Sequence, residues 1–209
     1  MTASVNRRFL LVSRPDGSPR ESDFRLEDSP VPTPGPGEIL IRNQYASLDP
    51  AIRGWLDDAP SYLPPIAIGD PVRASTIGTV EASGVDRFKP GDWVMGLNAI
   101  EAYSLVTPND FMHPINVSAA PSVTSYLFAM GAVGLTALFG VSDAMQPTPG
   151  QTVLVSGAAG AVGSMVGQLA KLRGARVIGI AGVATKSARL TDRYGFDATI
   201  DYRGKDEAA

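Results

Sequence analysis

Apolar positions follow two rhythms along this chain. In residues 1–120 they fall in short runs cut by proline and glycine, as in strands joined by turns. The pattern predicts strands over residues 9–12, 24–27, 38–47, 76–82, 93–95 and 102–106. Residues 24–27 alternate as a half-buried strand does, and Gly78 is expected to mark a bulge. Pro15-Asp16-Gly17 and Phe88-Lys89-Pro90-Gly91-Asp92 read as turns, and residues 30–37 as a surface connector. Short strands of this kind suggest a small barrel or sandwich.

From residue 121 to 209 the rhythm becomes helical and mixed. Helices are expected over residues 122–130 and 135–145, the second with Leu135, Leu138, Phe139 and Ser142 on one face. A β-branched run, Val153-Leu154-Val155, then enters Ser156-Gly157-Ala158-Ala159-Gly160-Ala161-Val162-Gly163. Val162, Met165, Val166, Leu169 and Ala170 share one helical face before Gly174 stops the helix. A buried strand follows over Arg176–Ala181, then a helix over 186–194 stopped by Gly195, then a strand over 198–202. Two domains are therefore expected, 1–120 and 121–209.

Strand, glycine turn, helix and strand make a βαβ unit with a phosphate-binding turn. Gly157 and Gly160 allow a sharp turn that lies close to a pyrophosphate, and Gly163 allows tight packing of the helix on the sheet. Free N–H groups at the helix start would face the anion. The spacing is Gly-x-x-Gly-x-x-Gly, not the usual Gly-x-Gly-x-x-Gly, with Ala159 in the place of the first core glycine. A turn used only for packing is the alternative, and the flanking strands and helix favour dinucleotide binding.

An NAD site places Asp or Glu about 20 residues past the turn to hold the ribose 2′-hydroxyl. The corresponding stretch, Ala181-Gly182-Val183-Ala184-Thr185-Lys186-Ser187-Ala188-Arg189, has no acid. An acid would repel a 2′-phosphate, whereas Lys186 would attract one with help from Arg189, so the pattern points to NADP.

Composition narrows the picture by exclusion. The net charge of −3 and the lack of a basic stretch argue against a nucleic-acid surface. No apolar run approaches the length of a membrane span, and the N-terminus has no secretory pattern. Cysteine is absent, which excludes disulfides and thiolate chemistry and fits a cytoplasmic setting. With no Cys and one His, a zinc site of the usual kind cannot be built, so no metal is expected. That histidine, His113, sits in a loop before Pro114 and reads as structural or exposed.

A doubly wound dinucleotide domain needs two βαβαβ halves, and these residues supply the first only. One edge of the sheet would be open and apolar. The expectation is a fragment of a longer protein rather than a half completed by a partner.

These features resemble the zinc-independent medium-chain dehydrogenase/reductase superfamily. Within it they are similar to the group of prostaglandin reductases, plant double-bond reductases and bacterial curcumin-reductase-like enzymes. The resemblance rests on Tyr45-Ala46-Ser47-Leu48-Asp49-Pro50-Ala51-Ile52-Arg53-Gly54-Trp55, Ser61-Tyr62-Leu63-Pro64-Pro65, Phe88 to Asp92, and Gly134-Leu135-Thr136-Ala137. It rests also on Gly157 to Gly163 and on Gly195-Phe196-Asp197-Ala198-Thr199-Ile200-Asp201-Tyr202. It implies an α/β fold: a β-rich GroES-like catalytic domain followed by the first half of a Rossmann doubly wound parallel sheet.

By the same resemblance Gly160, Ala161, Val162 and Gly163 lie along the pyrophosphate, Lys186 holds the 2′-phosphate and Tyr202 contacts the adenosine end. Arg53 and Thr136 are candidates near the cofactor, and each has a structural alternative. Tyr45 and Tyr62 are candidates to line a substrate pocket. Where some members carry a tyrosine after Asp-Pro this chain has Ala51, which removes a pocket contact. The tyrosine that assists protonation in relatives lies outside these residues, so no general acid is named.

The implied activity is hydride transfer from NADPH to the carbon–carbon double bond of an α,β-unsaturated ketone or aldehyde. The expected partners are that small molecule and a second copy of the chain in a homodimer. NADPH-dependent quinone reduction is the alternative that Leu48-Asp49-Pro50 speaks against. An inactive truncated nucleotide-binding protein is the other.

Overall fold

The computed structural model describes residues 5–203, and the chain divides between Thr124 and Ser125 into two units. In the first unit β1 (Val5–Leu11) pairs antiparallel with β2 (Phe24–Pro30), Val5 opposite Pro30 and Leu11 opposite Phe24. β3 (Ile39–Ala46), β4 (Arg73–Ser83), β5 (Trp93–Ala99), β6 (Tyr103–Val106) and β7 (His113–Pro114) form an antiparallel sheet in the order β6-β3-β4-β5-β7. The helix α1 (Pro50–Trp55) stands between β3 and β4 in the chain, with Pro50 in its first turn, where a missing N–H costs nothing.

Two apolar clusters fill this unit. Ile39, Ile41, Val80, Phe88, Val94 and Met112 form one, and Leu11, Trp55, Leu56, Ile66 and Val72 the other. A chain of polar side chains crosses the strands as well. Asn98 Nδ2 donates to Thr76 Oγ1 (2.8 Å), Thr76 Oγ1 to Asn43 Oδ1 (2.8 Å), and Asn43 Nδ2 to Ser104 Oγ (2.8 Å). Ser104 Oγ then donates to one Glu101 carboxylate oxygen (2.8 Å), and Asn6 Nδ2 to the other (3.2 Å). Buried polar groups are stable when satisfied in this way.

Several sequence expectations need correcting here. The bulge expected at Gly78 lies in the strand opposite: pairing passes from Asn43↔Gly78 to Tyr45↔Ile77, so Gln44 on β3 is the extra residue. A side chain at Gly78 would collide with the Arg42 carbonyl, which is why that position carries none. A second irregularity between Leu40↔Ala82 and Ile41↔Val80 leaves Glu81 of β4 unmatched. His113 is not in a loop; it is exposed and pairs with Met95 as a two-residue edge strand.

The second unit is a parallel sheet in the order β10-β9-β8, made by β8 (Thr152–Val155), β9 (Arg176–Ala181) and β10 (Ala198–Asp201). α2 (Ala132–Phe139), α3 (Ala161–Leu172) and α4 (Ala184–Tyr194) complete it. Its core is Val153, Val155, Ala158, Ala170, Ala175, Val177, Ala181, Leu190 and Phe196. Gly195, with φ of 70°, ends α4 in the left-handed region, where a Cβ is unfavourable. Asp197 then accepts Lys171 Nζ (2.7 Å) and the Val177 N–H (2.6 Å), tying β10 to α3 and β9. Those two bonds hold its carboxyl below the usual carboxylate range, the Lys171 contribution being larger.

The helical expectations are less exact. Residues 122–130 contain a short 3-10 turn, Val123–Leu127, in place of a longer helix. The next helix begins three residues earlier than 135 and passes into a π-helical turn, Gly140–Met145, that Gln146 closes at φ 47°. Gly134 and Ala137 are its buried residues, while Leu135, Leu138 and Phe139 are exposed. On α3 the buried stripe is Ser164, Gly167 and Ala170, and Val162 is exposed. Small residues face inward because α3 lies so close to Phe196 that a Cβ at Gly167 would overlap its ring.

Candidate functional site: the carboxyl edge of the parallel sheet

Ligands of open α/β sheets bind beyond the carboxyl ends of the strands. In the second unit two turns leave that edge. The first runs from Val155 through Gly157 to Gly160 and opens α3. Gly157 has φ of 57°, and its carbonyl accepts the Gly160 N–H at 2.9 Å, which closes the turn. The turn is pinned to the neighbouring strand by the Ala158 N–H, which donates to the Ile180 carbonyl at 3.2 Å. Ala158 is fully buried beneath it.

Gly160 is the N-cap of α3 and offers no side chain to cap it. The first backward bond of the helix is Ser164 N–H to the Gly160 carbonyl, 3.0 Å, so the N–H groups of Ala161, Val162 and Gly163 precede the helical ladder. The positive end of the helix macrodipole lies there too. A Cβ at Gly163 would stand 2.6 Å from the Gly157 carbonyl oxygen and 2.9 Å from Ala158 Cα. Gly163 thus admits the turn's own backbone, a closer role than packing the helix on the sheet.

The second turn joins β9 to α4 through Gly182 and Val183. No acidic residue occurs between Ala181 and Arg189. The Tyr202 phenol lies against Gly182: a Cβ there would stand 2.7 Å from Tyr202 Oη. The Tyr202 N–H reaches the Ala181 carbonyl at 3.4 Å, and the residue is 59% exposed. Lys186, in the first turn of α4, is exposed and has no ion-pair partner among the described residues. Arg189 is exposed one turn further on. Ser187 Oγ, in the same turn as Lys186, is buried with no hydrogen-bond partner among the described residues.

The edge therefore gathers Gly157, Gly160, Ala161, Val162 and Gly163 on one turn, and Lys186 and Tyr202 around the next. Its chemistry fits a dinucleotide phosphate: uncapped donors, a cradle that a Cβ would fill, a free cation, and no carboxylate at the end of β9.

The remaining candidates sit elsewhere. The Arg53 guanidinium is engaged within the first unit: Nε and Nη2 donate to the Gly17 carbonyl (3.0 and 2.8 Å), and Nη1 to Asp57 (2.6 Å). Thr136 is exposed on α2. Tyr45 follows the Gln44 bulge, 42% exposed, and lines an open depression of about 350 Å³ with Phe9, Leu26, Asn43 and Ile100. Tyr62 is 75% exposed and stands edge-on to Trp55, 5.9 Å between ring centroids.

Sequence reasoning passed over Gly167, Gly179 and Gly182. A Cβ at Gly179 would stand 2.8 Å from Leu190 and 2.9 Å from Phe196. Signals did exist: Gly163 and Gly167 are four apart on one helix face, and a glycine inside a strand, as at Gly179, marks a close approach. Among the described residues no cluster of His, Cys, Asp or Glu could hold a metal, and no helix is long and apolar enough to cross a membrane.

Residues 7–113, most of the antiparallel β unit, match the family model described as the N-terminal domain of oxidoreductase. The chain belongs to the zinc-independent medium-chain dehydrogenase/reductases, as a β-rich GroES-like unit followed by the first half of a Rossmann sheet. It is 41% identical over 207 residues to an NADPH-dependent curcumin reductase of Escherichia coli, covering 97% of this chain and 58% of that protein. It is 33% identical over 202 residues to a 2-alkenal reductase (NADP(+)-dependent) of Nicotiana tabacum, covering 95% and 59%. The crystal structure of CurA from Vibrio vulnificus in complex with NADPH superposes with a TM-score of 0.89 at 40% identity, covering 96% of this chain and 59% of that one. The chain thus spans well under two thirds of the length of these relatives.

Proposed function

We propose that this chain belongs to an NADPH-dependent oxidoreductase that reduces the carbon–carbon double bond of α,β-unsaturated ketones or aldehydes. The observation that carries the reading is the β9–α4 turn, where Lys186 and Tyr202 flank Gly182 and no carboxylate stands. Similarity to the curcumin and 2-alkenal reductases supports the substrate class.

When bound, NADPH supplies the hydride. The residues of this chain bind and orient it. The N–H groups of Ala161, Val162 and Gly163 receive the pyrophosphate at the start of α3. Lys186 pairs with the 2′-phosphate, Arg189 adds charge one turn away, and the Tyr202 phenol borders the same group. Arg53 keeps the Gly17 loop on α1, a structural role within its own unit, and Thr136 borders the cofactor from α2. Tyr45 and Tyr62 line the acceptor pocket. Negative charge developing on the substrate oxygen requires aimed donors, and the proton returns to the α-carbon.

In this reading residues 1–120 are the catalytic domain and 121–209 the nucleotide-binding domain, beside a structural division between Thr124 and Ser125. The protein is a cytosolic homodimer in this reading.

NADPH oxidation with an enone and with a quinone tests the substrate class. Faster turnover of the enone is expected. Faster turnover of the quinone would move the reading to quinone reduction.

A further inference from the structure

Beside Tyr202 stands a cation that the functional reading has not used. The Arg203 guanidinium carbon lies 5.8 Å from the centroid of the Tyr202 ring, within the range of cation–π attraction. Arg203 is exposed, and its side chain has no hydrogen bond or ion pair among the described residues. Its backbone N–H donates to Asp201 Oδ1 at 3.0 Å. Tyr202 in turn rests on Gly182, the residue that opens the turn leading to Lys186.

From this arrangement we infer that Arg203 is a second specificity-determining cation, gripping the adenosine 2′-phosphate from the β10 side while Lys186 grips it from α4. The inference rests on the NADPH reading above. The grip is then split between two elements joined through Gly182. β10 pairs in parallel with β9, Asp201 opposite Ala181, so Tyr202 and Arg203 emerge directly beside the β9–α4 turn. Tyr202 positions the guanidinium through its ring face, and Gly182 positions Tyr202 by leaving room for the phenol. Asp201, the carboxylate at the end of β10, is engaged at Oδ1 by the Arg203 backbone N–H, not by the guanidinium. An arginine suits this task because its planar fork stacks on an aromatic face and presents paired donors to phosphate.

The test uses the adenosine half of the cofactor. Adenosine 2′,5′-bisphosphate and AMP are titrated into the full chain and its variants by calorimetry. Arg203→Ala is expected to weaken the bisphosphate about tenfold, the scale of one charge-assisted contact, and to leave AMP within about twofold. Arg203→Lys, which keeps the charge but not the planar fork, should restore only part of the loss, and the salt dependence of bisphosphate binding should be shallower for Arg203→Ala than for the unaltered chain. An unchanged bisphosphate-to-AMP ratio in Arg203→Ala, beside a lowered ratio in Lys186→Ala, would overturn the inference and leave the NADPH reading standing. Equal losses of both ligands would also overturn it, marking Arg203 as structural. An unaltered chain with no preference for the bisphosphate would remove the NADPH reading itself.

Discussion

The two units both have apolar cores and both admit backbone at glycines such as Gly78, but they differ in where the close approach falls. In the first, side chains fill the space: Ile39, Ile41, Val80, Phe88 and Val94 pack together, and a satisfied polar chain from Asn98 to Glu101 crosses the strands. In the second, side chains are withheld. Gly163, Gly167, Gly179 and Gly182 each stand where a Cβ would meet a neighbour. The difference bears on function. A filled antiparallel sheet holds side chains such as Tyr45 in place, whereas a backbone stripped of side chains leaves N–H groups open to an anion.

Substitutions that break the comparison should rank by how directly they refill or empty a unit. The largest effect is expected from Gly167→Leu. Its side chain overlaps the Phe196 ring, and overpacking should cost about 3 kcal/mol, more than the roughly 1 kcal/mol of helix propensity gained. Denaturant unfolding measures it, and an unchanged midpoint would mean that Phe196 moves freely. Asn43→Leu comes next, in the filled unit. It leaves the Thr76 hydroxyl proton without an acceptor and Ser104 Oγ without a donor, although Thr76 still accepts from Asn98 and Ser104 still donates to Glu101, for a loss of about 2 kcal/mol by the same measurement.

Lys186→Ala follows and leaves stability alone. NADPH affinity should fall about tenfold, near 1.4 kcal/mol, with NADH within about twofold. Equal losses for both cofactors would take Lys186 out of the 2′-phosphate site.

The smallest effect is expected from Asp197→Asn, below about 1 kcal/mol because the ion pair with Lys171 is a third exposed. Its pH signature is more telling than its size. The folded carboxyl titrates lower than the unfolded one, so its contribution is full above the ordinary carboxylate range and lost as pH falls through the folded value. Stability against pH should therefore decline less steeply on the acid side in Asp197→Asn. An identical profile would show that Asp197 is not selectively stabilised in the fold.

Much of the second unit was legible in the sequence because its signals are local. The strand Arg176–Ala181 is a bounded apolar run, Gly195 a helix stop, and the Gly157 to Gly163 turn a spacing. The inward face of α3 was legible only in part: Ala170 is buried and Val166 packs against the core as expected, whereas Ser164 and Gly167 were not foreseen. Periodicity assigns the core to the larger residues, yet Phe196, contributed from beyond α4, claims the space and selects Gly167. In the first unit the strands were legible but the register was not. Whether Gln44 or Gly78 bulges depends on both paired strands at once, and a single run of residues carries no such information. His113 failed for a related reason, since a two-residue edge strand exists only through its partner β5.

At the candidate site the glycines and Lys186 were readable as chemistry, whereas the contact of Tyr202 with Gly182 needed the fold. Arg53 illustrates the converse. Its charge drew attention in the sequence, and its hydrogen bonds to Gly17 and Asp57 explain it structurally.

The central claim is that the bare carboxyl edge of the parallel sheet selects a 2′-phosphorylated dinucleotide. Parallel calorimetric titrations of the chain with NADPH and NADH test it most directly. Binding of NADPH about tenfold or more tighter than NADH is the predicted result, on the scale of a charge-assisted phosphate contact. Equal affinity for the two, or no binding of either, would contradict it.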